Sequence, residues 1–214
     1  RNRTRLGASV DLMPADNLGV TLSADYTEDD YDNSNVGLTE SREPGYTLDL
    51  SYQPARDVTT HPYYTRQDID SVQYGWSGSA VPLRDWKAEF DDTVDTVGIG
   101  VKISEIRGKW VVGADLTWSK ATGEAELTDF SAPGTEDQYP DLVTKLTSFK
   151  LWALYRYRHN LSIRLDYGYE DYDADNWAYD GLQEDSVNNI LLLGEDTQEY
   201  DTSVVSASVV YRFN

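Results

Sequence analysis

The end of the chain, residues 203–214, alternates. Val205, Ala207, Val209, Tyr211 and Phe213 are apolar, and Ser206, Ser208, Val210 and Arg212 between them are mostly polar. This is a period-two strand with one greasy face that ends in Tyr-x-Phe. The same alternation returns along the whole chain, yet no run approaches the roughly 18 consecutive apolar residues of a membrane helix. A β-barrel hides its apolar residues at every second position, so a negative mean hydropathy does not exclude a membrane-spanning chain.

Eight further segments repeat the pattern: residues 4–13, 18–26, 46–53, 58–66, 97–104, 110–119, a strand ending over 149–157, and 161–170. In the second, Leu18, Val20, Leu22, Ala24 and Tyr26 share one face, and in the sixth Trp110, Val112, Ala114, Leu116 and Trp118 do. The fourth is expected to be short or bulged, because Pro62 deletes a ladder hydrogen bond. Pro14-Ala15-Asp16-Asn17, Pro54-Ala55-Arg56-Asp57, residues 105–109 and Arg158-His159-Asn160 read as tight turns. Long connections are expected near 28–43, 66–91, 120–139 and 171–199.

Short turns thus alternate with long loops without exception. An antiparallel up-and-down transmembrane β-barrel of the bacterial outer membrane has this asymmetry, with short periplasmic turns and long extracellular loops. On that reading the terminal strand runs inward and the C-terminus is periplasmic. Two aromatic belts follow: Tyr26, Tyr46, Trp118 and Tyr169 near the outer boundary, and Tyr52, Trp110, Tyr157, Tyr211 and Phe213 near the inner one. Tyr211 and Phe213 are the expected C-terminal barrel signal, although Asn214 departs from the terminal aromatic usual in barrel proteins. A soluble meandering sheet or sandwich would also alternate and stays open as an alternative. A count of about nine strands is odd, and the first begins on the outside. Residues 1–214 are therefore expected to be one barrel segment, the C-terminal strands of a larger barrel; starting at Arg1 without a charged-then-apolar leader, the chain reads as a mature protein or a fragment.

The formal net charge of -20 argues against nucleic acid as a partner, since phosphate would be repelled. Without cysteine there is no disulfide, no thiolate metal site and no covalent attachment of c-type haem. His61 and His159 have no Ser or Asp at triad spacing, so no catalytic residue is assigned and no enzyme is expected. Two acidic runs invite a calcium reading. The first spans residues 25–35, with Glu28, Asp29, Asp30 and Asp32. In the second, Asp171, Asp173 and Asp175 match the first three ligand positions of an EF-hand loop. Asn176 stands where that loop needs Gly and Leu182 where it needs the bidentate Glu, so a solvated loop is the competing reading.

The face opposite the apolar one carries Asp11, Asp25, Asp49, Asp115, Asp166 and Glu170 with Arg5, Lys102, Lys150, Arg156, Arg164 and Arg212, among Gly and Ser. Such a face suits water or a polar occupant, and its charges also serve as cross-strand pairs. Arg156, Arg164 and Asp166 are the residues expected to meet a partner in the lumen.

In the C-terminal third, Tyr139-Pro140-Asp141-Leu142, Leu146-Thr147-Ser148-Phe149-Lys150-Leu151, Asp175-Asn176-Trp177-Ala178-Tyr179-Asp180-Gly181, Asn189-Ile190-Leu191-Leu192-Leu193-Gly194-Glu195 and the Tyr211-Arg212-Phe213 ending resemble the MtrB/PioB family of decahaem-associated outer-membrane barrels. The resemblance implies a large barrel that sheathes a periplasmic multihaem cytochrome for extracellular electron transfer and can dock an extracellular one. Haem would be carried by the partner, and the barrel would bind no cofactor of its own. A passive porin or substrate-specific channel without a cytochrome is the alternative.

Overall fold

A computed structural model describes residues 1–31, 35–76, 85–130, 136–175, 177 and 199–213. The elements are β1 (Asn2–Ala15), β2 (Leu18–Asp30), β3 (Gly37–Ala55), β4 (Val58–Gly75), β5 (Trp86–Ile106), β6 (Trp110–Asp129), the three-residue β7 (Glu136–Gln138), β8 (Leu142–Arg158), β9 (Leu161–Asp175) and β10 (Tyr200–Tyr211). They form one antiparallel meander in the order β1-β2-β3-β4-β5-β6-β8-β9-β10, with β7 alongside β6. Each long strand pairs with the next long strand in sequence, as an up-and-down barrel requires.

The register carries one apolar face across all nine long strands. One row runs Leu12–Val20–Leu50. Others run Tyr64–Val97–Trp118 and Leu116–Phe149–Tyr169, and β10 extends it through Tyr167–Val205 and Ile163–Val209. Among the described residues no core lies beneath this face. In interior strands Leu116, Leu151 and Leu165 remain 47%, 46% and 50% exposed. The buried apolar residues Ala88, Val111 and Ala174 all stand on the opposite face of their strands. A soluble sandwich would bury its apolar face and leave the polar one open; the reverse is seen here.

The uppermost apolar position slips by two residues at the β2–β3, β3–β4, β6–β8 and β9–β10 pairings and by none at the other four. The mean slip is about one residue, or about 3.3 Å, against a strand spacing of about 4.8 Å. That stagger is a tilt of about 35°, at the lower end of what a closing barrel needs. Nine residues of strand at that tilt rise about 24 Å, which matches an outer-membrane apolar band of about 25 Å.

Four tight connections lie at one end: Asp16-Asn17, Arg56-Asp57, 107–109 and His159-Asn160. The β5–β6 turn places Glu105, Arg107 and Gly108 at positive φ, and Gly108 N–H donates to the Glu105 carbonyl at 3.0 Å. At the other end the strands outrun the alternation read from sequence. Most of 28–43 is strand in β2 and β3, β4 and β5 occupy most of 66–91, and β6 runs through the first half of 120–139. Residues 171–175 belong to β9 rather than to a loop. Nor is β4 short. It runs 18 residues, and Pro62 pairs with Ile99 of β5. The cost falls on the β3 side, where the ladder skips Pro62; it skips a second time at Pro44, which pairs with Tyr26 of β2. Each proline lacks the N–H that one ladder needs, and each keeps its pairing toward the other neighbour.

Candidate functional site

The candidate site is the polar face. Every charged residue expected there within a strand takes that side: Asp11 and Asp49 share a row with Thr21, Asp25 stands between Gly7 and Gly45, Asp115 is opposite Lys150, and Arg164 is opposite Ser208. Small residues give this face its shape. The ring of Tyr63 lies across Gly98 of β5, and a Cβ on Gly98 would come within 2.5 Å of it. The indole of Trp152 lies across Gly113 of β6, again 2.5 Å from where a Cβ would stand. Trp86 covers Gly75 in the same way. Glycine opposite an aromatic lets the ring lie flat on the neighbouring strand instead of projecting from it. The polar face is therefore paved and low, with room above it.

The expected partner-contact residues sit on this paving. The Arg164 guanidinium stacks on Trp152, 4.9 Å from the ring centroid, and is held by Asp166 through Nη2 at 2.6 Å and Nε at 2.8 Å. Gly113, Trp152, Arg164 and Asp166 form one layer across β6, β8 and β9. Arg156 and Arg164 line a common cavity of about 570 Å³ at the turn end, together with Lys109, Arg158 and Arg212. The sequence named Arg156, Arg164, Asp166 and Arg212 as polar-face residues. It did not single out Trp152, Gly113 or Lys109, because their roles depend on which residue faces which across a pairing.

Beyond the apolar band the two faces exchange character. The outward face changes within two residues from Tyr26 to Glu28, Tyr64 to Arg66, Val97 to Asp95, Trp118 to Lys120 and Tyr169 to Asp171. It then carries Asp68, Asp70, Glu89, Asp91, Glu124 and Glu126. The inward face of the same extensions carries Ile69, Phe90, Val94, Leu127 and Leu146. Strands that are greasy outside and polar inside in the band turn acidic outside above it, and the inward face of β5 and β6 becomes partly apolar there, while β2 to β4 keep Thr27, Asp29, Ser41, Glu43, Gln67 and Gln73 inward.

The calcium candidates do not converge. Asp171, Asp173 and Asp175 lie on one face of extended β9, where successive same-face residues are about 6.8 Å apart, too far to share one ion. Lys145 pairs with Asp173 at 3.3 Å, and Tyr169 donates to Asp171 at 3.3 Å. The rest of that loop pattern, Asn176 and Leu182, lies outside the described residues, as do Asp32 of the first acidic run and the 189–195 motif. In the first run, Glu28 pairs with Arg42 at 3.4 Å, and nearly buried Asp29 accepts from Arg1 Nε at 3.0 Å and from Arg3 Nε at 2.6 Å. Among the described residues no three His, Cys, Asp or Glu side chains could hold a metal ion. His61 in β4 and His159 beyond β8 lie three strands apart, and the row of His61 meets β8 at Lys150, well short of His159, so the two do not meet. Two motif residues far apart in sequence do meet: Tyr139 stacks on Trp177 with parallel rings 4.8 Å apart.

A family model described as an outer membrane beta-barrel porin, MtrB/PioB, matches residues 1–213. The chain belongs to the MtrB/PioB family. It is 29% identical over 213 residues to "Outer membrane protein MtrB" of Shewanella baltica (strain OS185), a match covering 99% of this chain and 30% of that protein. Among solved structures it is similar to the alcaligin outer-membrane receptor FauA of Bordetella pertussis, at TM-score 0.65 and 12% identity over 99% of this chain and 33% of that one. It is also similar to the ferric preacinetobactin receptor BauA of Acinetobacter baumannii, at TM-score 0.62 and 14% identity over 97% and 37%. At these identities the likeness is one of fold, an outer-membrane β-barrel. The chain spans about a third of the length of the proteins it matches. As a segment of an MtrB/PioB barrel, its apolar face is the lipid side and its polar face the bore.

Proposed function

We propose that this segment helps to sheathe a periplasmic multihaem c-type cytochrome inside the barrel, for electron transfer across the outer membrane, with a second cytochrome able to dock outside. The observation that carries the reading is membership of the MtrB/PioB family over residues 1–213. The bore supports it physically. Rings laid flat over Gly98 and Gly113 leave clearance for a large occupant, and the Arg164–Asp166 layer offers it fixed charges. Phe90, Val94 and Leu127 on the inner side of β5 and β6 offer an apolar contact above the membrane. The protein supplies insulation, position and a polar bore; haem belongs to the partner, since this segment has no cysteine for attachment. In this reading the tight turns and the C-terminus are periplasmic and the extensions stand outside the cell.

The full-length barrel purified from its host is expected to carry haem absorbance in fixed ratio to protein. Charge reversal at Arg156, Arg164 or Asp166 is expected to lower that ratio while leaving the heat-modifiable folded band on gels intact. A colourless, ion-conducting preparation would overturn the sheath in favour of a passive channel. An unchanged haem ratio in all three variants would remove these residues from the contact.

A further inference from the structure

Lys109 of the β5–β6 turn, Arg156 and Arg158 at the end of β8, Arg164 of β9 and Arg212 after β10 line one cavity of about 570 Å³ at the tight-turn end of the bore. Two backbone bonds fix this grouping: Arg156 N–H donates to the Lys109 carbonyl at 2.8 Å, and Arg212 N–H to the Asn160 carbonyl at 2.9 Å. Among the described residues, Asp166 is the carboxylate that pairs with any of the five, through Arg164. Arg158 instead lies over the Tyr157 ring at 5.3 Å, and no carboxylate of the described residues approaches Lys109, Arg156 or Arg212 within ion-pair distance. In a chain with 38 acidic and 18 basic residues, five cations against one anion is a marked local reversal of sign.

Clustered like charges repel, so the site is incomplete without an anion. The chemistry narrows which one. Arg156 and Arg164 stand on the polar face, while Tyr155, Ile163 and Tyr211 take the lipid side of the same strands; Arg158, over the Tyr157 ring, marks the rim between the two, so a lipid phosphate can reach Arg158 but lies behind the sheet from Arg156 and Arg164. The cavity also includes Leu154 and Val210, both on the polar face. A bare inorganic anion has no use for those two side chains; a protein segment bearing carboxylates beside apolar residues uses both. We propose that this basic mouth seats an acidic, amphipathic protein segment entering the bore from its tight-turn end. The seat goes beyond the sheath proposed above and holds whether or not the occupant carries haem.

The test uses the full-length protein in nanodiscs and a fluorescent peptide of alternating Glu and Leu, read by anisotropy. Binding is expected to weaken about tenfold when Lys109→Gln, Arg156→Gln and Arg212→Gln are combined, and to change little for Arg42→Gln with Lys87→Gln on the outward extensions. It is also expected to weaken as ionic strength rises from about 0.05 to about 0.5 M, which shortens the screening length severalfold. Should the triple variant lose the folded gel band, Arg212→Gln alone, past the end of its strand, gives the same comparison at smaller amplitude. Equal binding by wild type and folded variants, or equal binding of a Lys–Leu peptide, would overturn the seat. Binding of inorganic phosphate at millimolar concentration with no peptide binding would make it a small-anion site and overturn the protein assignment. A colourless barrel that still binds the peptide would sink the sheath and leave the seat standing.

Discussion

Asp91 stands on the outward face of β5, beyond the apolar band, directly opposite Asp70 of β4 and Glu124 of β6. Desolvation, followed by the charge of Asp70 and a hydrogen bond with it, pushes its carboxyl above the usual 3.8. Folded Asp91 therefore binds its proton more tightly than unfolded Asp91. Between the ordinary value and the raised one the native state holds more protons, so stability falls as pH rises through that window and the penalty is complete above it. Opposed like charges cost roughly 0.2–1 kcal/mol on a sheet. Asp91→Asn is expected to stabilise the folded protein by a few tenths of a kcal/mol at neutral pH and to have little effect well below pH 4, as judged by thermal unfolding in detergent across pH. A variant less stable than wild type at neutral pH would mean that Asp91 is held by an attraction its neighbours do not reveal. Asp29 makes the opposite case. It is a carboxylate in the extension of β2, but it faces inward and is held by Arg1 and by Arg3 of β1.

Among the elements, the contact between β6 and β8 shows what sequence can and cannot yield. Alternation alone placed Gly113, Trp152, Arg164 and Asp166 on the polar face, and the register agrees. That the indole lies flat on Gly113 was not legible, because it depends on which residue stands opposite which, and a slip of two would give the same alternation. Gly113→Val is expected to lift the ring into the bore and to destabilise the barrel by about 1–3 kcal/mol, as overpacking does. The measurements are urea unfolding and the emission maximum of Trp152, with the other five tryptophans replaced. Adding Trp152→Ala should recover most of the loss; full additivity of the two changes would mean that the ring and the glycine are not in contact. Strand length is hidden in the sequence for a related reason. The one-face alternation stops at Tyr26, Tyr64, Val97 and Trp118 because outward positions there become Glu, Arg, Asp and Lys, which in sequence resemble loop residues. The strands go on; their apolar residues have moved to the other face, at Ile69, Phe90, Val94 and Leu127. A reader who scores one face loses the strand where its environment changes, although pairing continues to Gly75, Trp86 and Asp129.

For the molecule as a whole, that exchange of faces marks where the membrane ends. An outward row of Val, Leu, Ile and aromatic side chains at 40–50% exposure is unstable in water and stable against hydrocarbon, at about 25 cal/mol for each Å² of apolar surface removed from water. An outward row of Asp70, Asp91 and Glu124 is the reverse, since a charge on the lipid side of a barrel costs about 2–4 kcal/mol for basic residues at mid-bilayer and falls toward zero near the interface. The two rows are separated by a few residues on each strand, so the boundary is sharp and can be located. Single spin labels at Leu48, Ile99 and Leu165 are expected to report oxygen accessibility typical of the hydrocarbon core. Labels at Asp70, Asp91 and Glu124 are expected to report full access to a water-soluble nickel chelate. Between them, labels stepping along β5 from Ile99 to Asp91 should change from one regime to the other within about two outward positions, near Asp95, in keeping with a tilt of about 35°. If Leu48, Ile99 and Leu165 report close protein contact instead, another sheet covers the apolar face and no lipid does; the polar face would then no longer be a bore, and the mouth beside Arg156 would open onto the protein surface.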